Sequence, residues 1–170
     1  GGAIYFDNSG RGQRGLHEVC GYDCCSTYTS TSYGQFVFIN AKNAVSSKNY
    51  VNYSSISRCV NEKSNSRDTL YLNNGKIYCP SINSSMNKCQ WYSGISSHPF
   101  TDSNSFTCSL SFSTFADNIA NGHSCILLWM GGSKHEIKSC NIIRNTQSSL
   151  DTFGTIDTVV YLTIEDSCIL

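Results

Sequence analysis

Apolar residues in this chain fall in short runs separated by stretches of Ser, Asn and Gly. Gly34 opens Gln35-Phe36-Val37-Phe38-Ile39, Gly75 opens Lys76-Ile77-Tyr78-Cys79, Gly122 opens the run from His123 to Leu128, and Gly154 opens the run from Thr155 to Val160; Gly94 before Ile95 is a weaker member. Glycines placed this way turn the chain, and the β-branched and aromatic runs behind them are strand signals. A second set of segments alternates with the first. Ser54 to Cys59, Ser84 to Cys89, Ile137 to Ile143 and Glu165 to Leu170 resemble one another, and Ser109 to Phe115 is a fifth copy with Ser113 in the cysteine place. The aligned positions are Cys59, Cys89, Ser113, Cys140 and Cys168, at intervals averaging roughly 27 residues. In the same register Asn118 of Phe115-Ala116-Asp117-Asn118 aligns with Asn145 of Ile142-Ile143-Arg144-Asn145.

Short strands, polar turns and a period in the high twenties leave few architectures. A β-sandwich gives no reason for like residues to recur at that distance. Leucine-rich repeats share the period but need a leucine ladder that the chain lacks. A parallel β-helix fits, because each coil is one repeat and sets like residues over like. The expected fold is therefore all-β, a right-handed single-stranded parallel β-helix of about six coils of roughly 27 residues. Residues 1–170 read as a single β-helix domain, and the strand-like last residues, Ser167-Cys168-Ile169-Leu170, suggest a fragment of a longer chain.

Composition narrows the function. Ser, Thr and Asn make up 56 of the 170 residues, and 12 basic side chains balance 12 acidic ones. A neutral chain without a basic run lacks the electrostatic footprint of a nucleic-acid binder. The longest apolar run, Cys125 to Met130, is far short of a membrane span. Ten cysteines and the glycosylation sequons at Asn52 and Asn83 are in keeping with an extracellular setting.

Gly1-Gly2-Ala3-Ile4, Phe115-Ala116-Asp117-Asn118, the Ser55-Ile56-Ser57-Arg58-Cys59 segment and the Asn73-Asn74-Gly75 turn carry a resemblance. They are similar to the tetrapeptide repeats of polymorphic outer-membrane proteins and of the large surface-protein families of anaerobic protists, and the chain resembles the protist kind. That resemblance implies a pectin-lyase-like β-helix displayed on a cell surface and used in attachment. The departures are a single complete copy of each tetrapeptide and no membrane-barrel region.

The stacking expected of a β-helix would set Cys59 over Cys89 and Cys140 over Cys168, as free thiols or as interstrand disulfides, free thiols being the expected state. Cys20, Cys24 and Cys25 leave zinc binding, a disulfide to another loop and ordinary burial open, although no second cysteine pair follows at zinc-ligand spacing. His123 and Cys125, with His135 and Cys140, supply zinc-type atoms in no zinc pattern, and are expected to be neighbours on one strand face. Arg11-Gly12-Gln13-Arg14-Gly15 reads as a solvated turn.

Catalysis on such a fold needs paired carboxylates or a calcium site. Eight Asp and four Glu, mostly scattered singly, form no repeating acidic column. No enzyme activity, metal or cofactor is expected. The expected role is a non-enzymatic extracellular or cell-surface module, adhesin-like or a structural spacer, whose partners are a glycan, a host-surface protein, or the remainder of its own polypeptide. The alternative is a polysaccharide-active lyase or hydrolase on the same fold.

Overall fold

The computed structural model describes residues 2–7, 13–25, 33–62, 66–148, 154–159 and 161–170. Within them the chain is all-β and winds as a parallel β-helix. Three six-stranded sheets and one three-stranded ribbon run up its sides, and every pairing is between parallel strands of successive coils. The first sheet contains Ile4–Asp7, Val37–Asn40, Leu70–Asn73, Ile95–His98, Ile126–Leu128 and Ile156–Thr158. The second contains Gln13–His17, Lys48–Asn52, Lys76–Pro80, Phe106–Ser111, Lys134–Lys138 and Tyr161–Glu165. The third contains Cys20–Tyr22, Ser54–Ser57, Ile82–Ser85, Thr114–Ala116, Asn141–Ile143 and Cys168–Ile169, and the ribbon joins Lys88–Cys89, Ile119–Ala120 and Thr146–Gln147. No helix occurs among the described residues, and so none is long and apolar enough to cross a membrane.

Stacking like on like builds the core. Ile4, Val37 and Leu70 follow one another up the inside of the first sheet, and Ile95, Ile126 and Ile156 continue the line. On the second sheet Val51, Cys79, Leu110 and Ile137 are fully buried, and on the third Ile56, Phe115 and Ile142. Gly21 stands in the third sheet's inward line, where a Cβ would lie 2.4 Å from the Phe36 ring. Its missing side chain is what admits Phe36 to the first coil.

The coils are unequal. Tyr71 pairs with Ser96, 25 residues on, and Gln13 with Lys48, 35 on. The expected spacing of roughly 27 is met on the second and third sheets of the upper coils, as in Ser109–Glu136–Thr163 and Thr114–Asn141–Cys168, and nearly met in Ser54–Ile82 below. The glycines do not form one set either. Gly34, Gly94 and Gly154 precede first-sheet strands, whereas Gly75 opens a second-sheet strand after a turn in which Asn74 and Gly75 both have positive φ.

Two corners recur in every complete coil, each built on one residue in the left-handed region. Between the second and third sheets these are Glu18, Tyr53, Ser81, Phe112, Ser139 and Asp166; after the third they are Asp23, Arg58, Met86, Asp117 and Arg144. None is glycine, and a side chain in that region costs roughly 1 kcal/mol. Exposed Phe112, at φ 51°, is a clear case. Phe112→Asn, which tolerates that backbone, is expected to raise unfolding stability by about 0.5–1 kcal/mol in urea titrations; a lower midpoint would mean that the ring itself stabilises the corner.

The residue after each corner residue points inward and ties the coils together. At the first corner the Val19, Ile82 and Cys140 amides donate to the hydroxyls of Ser54, Ser113 and Ser167 in the coil above, at 3.2, 3.0 and 3.0 Å. At the second corner Asn87, Asn118 and Asn145 form a buried amide ladder. The Asn87 amide N–H donates to Asn118 Oδ1 and that of Asn118 to Asn145 Oδ1, at 3.0 and 3.1 Å. Each Nδ2 donates to a carbonyl in the coil below, of Ile56, Ser84 and Phe115 respectively.

These corners overturn the expected column of Cys59, Cys89, Ser113, Cys140 and Cys168. Cys59 belongs to the second corner, below Asn87, whose Oδ1 accepts from its amide at 2.9 Å. Cys89 lies in the ribbon opposite Ala120. Ser113 and Cys140 do stack, at the first corner, but Cys168 is an exposed third-sheet residue over Asn141. Both corners read as a left-handed residue followed by a small inward one, so an alignment on the small residue merges the two. All ten cysteines are free thiols.

Candidate functional site

The outward face of the first sheet carries the densest chemistry. Outward positions of its first three strands hold Tyr5, Phe38 and Tyr71, one coil apart. Their rings stack with centroids 4.9 and 5.1 Å apart and planes within 10° and 5°. His98 continues the pile against Tyr71 at 5.0 Å. Such contacts each add about 0.5–1.5 kcal/mol beyond area burial, and they leave ring edges and phenol groups facing outward.

A second pile stands where the chain enters this sheet. Tyr33, Arg67, Trp91 and His123 come from four successive coils. The Arg67 guanidinium lies 4.5 Å from the Tyr33 ring centre and 3.8 Å from that of Trp91, and Nη1 donates to Tyr33 Oη at 2.6 Å. His123 stacks on Trp91 at 4.2 Å. A sandwiched guanidinium gains cation–π attraction from both rings. The zinc-type pair suggested by the sequence is thus separated, because His123 faces out onto Trp91 while Cys125 is buried in the core. Among the described residues no group of three or more His, Cys, Asp or Glu could hold a metal, around Cys20, Cys24 and Cys25 or elsewhere.

On the other flank an amide line follows the strand ends. Asn40 Nδ2 donates to Asp7 Oδ1 at 2.8 Å, and Asn73 and Asn74 both donate to Asn40 Oδ1 at 2.9 Å. Trp129 comes directly after the Leu128–Ser97 pair, with its amide donating to Ser97 O at 2.9 Å. That places it one coil above His98, on the same line. Its side chain is 44% exposed, and among the described residues it stacks on no other ring.

Beneath this face lies a Ser–His–Asp group. Ser96 Oγ is 2.9 Å from His98 Nε2, and the same hydroxyl bonds the Asp68 carboxyl. A hydrolytic triad needs the imidazole between hydroxyl and carboxylate. Here the hydroxyl is in the middle and is fully buried, so no nucleophile faces solvent. Burial raises Asp68 to about 7 despite the charge of Arg67 beside it. Burial, helped by the charge of Arg67, pushes His98 down to about 4 and leaves it neutral at pH 7.

The remaining sites lie elsewhere. Asn83 is exposed on the third sheet, and Asn52, half-buried on the second, meets His17 Nδ1 at 3.2 Å. Arg14 packs over the Phe6 ring at 4.0 Å in the first coil, while Arg11, Gly12 and Asp151 lie outside the described residues. Several exposed carboxylates pair with a cation one coil away. Asp117 takes a bidentate contact from Arg144 at 2.7 Å, Glu165 meets Lys138 at 2.9 Å, and Asp23 meets Arg58 at 3.3 Å.

The aromatic piles and Trp129 left little trace in the sequence. Their members differ in type from coil to coil and are spaced unequally, so no like-on-like recurrence marks them. Compared with known protein families, curated proteins and solved structures, the chain matches none.

Proposed function

We propose that the chain is a non-catalytic binding module, of the kind expected on a cell surface or outside the cell, and that the outward face of its first sheet takes a neutral glycan. The observation that carries this reading is Trp129, an indole that is exposed and, among the described residues, unstacked, in line with His98, Asn73 and Asn40. An indole offers an apolar face to the C–H side of a sugar ring. The neutral imidazole and the amides beside it can donate to and accept from hydroxyls with no charge to desolvate. Successive coils place these groups about 4.8 Å apart, close to the length of one sugar unit, so the line suits an extended oligosaccharide.

The carboxylates favour binding over bond cleavage. On this face Asp7 and Asp157 stand at opposite ends of the stack, five coil steps apart. At about 4.8 Å a step that is well beyond the 5–10 Å over which two carboxyl groups share one glycosidic bond.

Titrating the protein with a panel of neutral oligosaccharides while following tryptophan fluorescence tests the reading. At least one oligosaccharide should bind, and Trp129→Ala should weaken it tenfold or more, about 1.4 kcal/mol. Binding that Trp129→Ala leaves unchanged would contradict the assignment. Shortening of the oligosaccharide during the titration would favour the polysaccharide-active enzyme instead.

A further inference from the structure

We infer that Cys24 and Cys59 form an oxidisable pair that closes into a disulfide clasping the first coil to the second. Tyr22 pairs with Ser57, and the Asp23 amide donates to Ser57 O, so the register carries on to set Cys24 beside Cys59. Each follows a left-handed corner residue, Asp23 at φ 52° and Arg58 at φ 56°, so the two side chains leave near-identical backbone in the same direction. Each thiol also donates to the carbonyl two residues back, Cys24 to Tyr22 O at 3.6 Å and Cys59 to Ser57 O at 3.8 Å. Neighbouring parallel strands put Cα atoms about 4.8 Å apart, inside the disulfide range of roughly 4.4–6.8 Å. Cys24 stands close enough to bear on the ionisation of the Cys59 thiol.

Their place in the fold gives the bond a purpose. Asn145, Asn118 and Asn87 tie each coil to the one below through the buried amide ladder. The ladder ends at Cys59, which has no amide to offer the first coil. A disulfide would supply the tie that a side-chain amide supplies higher up.

Access sets the order of steps. Cys24 is partly exposed and Cys59 is buried. The Cys24 thiol loses its proton to solvent and attacks a small-molecule disulfide such as oxidised glutathione. That S–S bond breaks, one glutathione thiolate leaves, and a mixed disulfide forms on Cys24. Cys59 then loses its proton and attacks the Cys24 sulfur, the protein S–S bond forms and the second glutathione leaves. Two protein thiols are oxidised by two electrons and one glutathione disulfide is reduced to two thiols. Burial holds Cys59 up at about 12, so closure is the slow step and the mixed disulfide precedes it.

The test uses the full chain carrying Cys20→Ser and Cys25→Ser, which remove the two other exposed thiols near the pair. After incubation with oxidised glutathione, free thiols are alkylated and the protein is digested without reduction for mass spectrometry. The expected result is a linked peptide pair containing Cys24 and Cys59, a melting temperature several degrees higher, and reversal of both by dithiothreitol. A further Cys24→Ser substitution, at a partly exposed position, should abolish the shift in melting temperature. Cys24 remaining alkylated, stopping at the glutathione adduct or linking to a cysteine other than Cys59 would overturn the inference, as would a shift that survives Cys24→Ser.

Discussion

Asn118→Ala is expected to lower unfolding stability by about 4 kcal/mol, read from the urea midpoint at constant m-value. Asn118 is fully buried, and its side chain serves four nitrogen and oxygen groups besides the Cys125 sulfur at 3.8 Å. Its Oδ1 accepts from the Asn87 amide N–H and from Asn87 Nδ2, both at 3.0 Å. Its Nδ2 donates to Ser84 O at 2.9 Å and to Asn145 Oδ1 at 3.0 Å. Truncation strands a buried N–H and a buried C=O and opens a small cavity. Each orphaned group costs about 1–3 kcal/mol, and the neighbouring rungs lose a member of a mutually polarising chain. Asn141→Ala provides the comparison. That residue is exposed on the outer face of the third sheet, where a change of this kind stays within about 0.5 kcal/mol. Equal losses in the two variants would show that the ladder adds nothing beyond its backbone hydrogen bonds.

The same ladder shows what could be read in advance and what could not. Parallel stacking was legible because like residues recur, and the alignment of Phe115-Ala116-Asp117-Asn118 with Ile142-Ile143-Arg144-Asn145 is the one the coils adopt. Phe115 and Ile142 fill the core, Asp117 and Arg144 turn the corner, and Asn118 and Asn145 join the coils. The cysteine column failed for a physical reason. The chain turns two similar corners in each coil, and Cys59 sits at one while Cys140 sits at the other. Glycine or asparagine at the turning positions would have marked them, but Met86, Phe112, Arg58 and Arg144 occupy left-handed backbone without either signal. The outward face was hidden differently. Tyr33, Arg67, Trp91 and His123 touch only because loops of unequal length bring them level, and Trp129 gains its place from the register of Leu128 with Ser97.

Stability should peak near pH 6.5, and Asp68→Asn should remove the decline between pH 6.5 and 8, below the range where the buried cysteines begin to matter. Asp68 is 1% exposed and one of its oxygens has no partner among the described residues. Its carboxyl is raised to about 7 in the folded protein from 3.8. Because the folded state holds this proton more tightly, the associated stability is fully present below about pH 4 and lost as pH climbs to 7. At 1.36 kcal/mol per pH unit the loss is about 4 kcal/mol. His98 and His135 act in the opposite sense. Burial lowers both to about 4, and neither ring nitrogen of the fully buried His135 has a partner among the described residues. Their stability is present above 6.5 and lost as pH falls to 4, about 3 kcal/mol each. Between pH 4 and 6.5 two histidines outweigh one carboxyl, so stability rises by roughly 1.4 kcal/mol per unit; from 6.5 to 7 only Asp68 is titrating, and stability falls. Urea titrations of the wild type and Asp68→Asn from pH 4 to 8 would read this directly. The variant should lie about 1 kcal/mol below the wild type near pH 4, because its new amide N–H must also find a partner, and about 3 kcal/mol above it at pH 8. His135→Leu, close to isosteric, should instead make the acid side nearly flat, because one histidine then only offsets the one carboxyl. Parallel curves for wild type and Asp68→Asn would mean that Asp68 keeps its charge in the fold, with the Arg67 guanidinium outweighing burial.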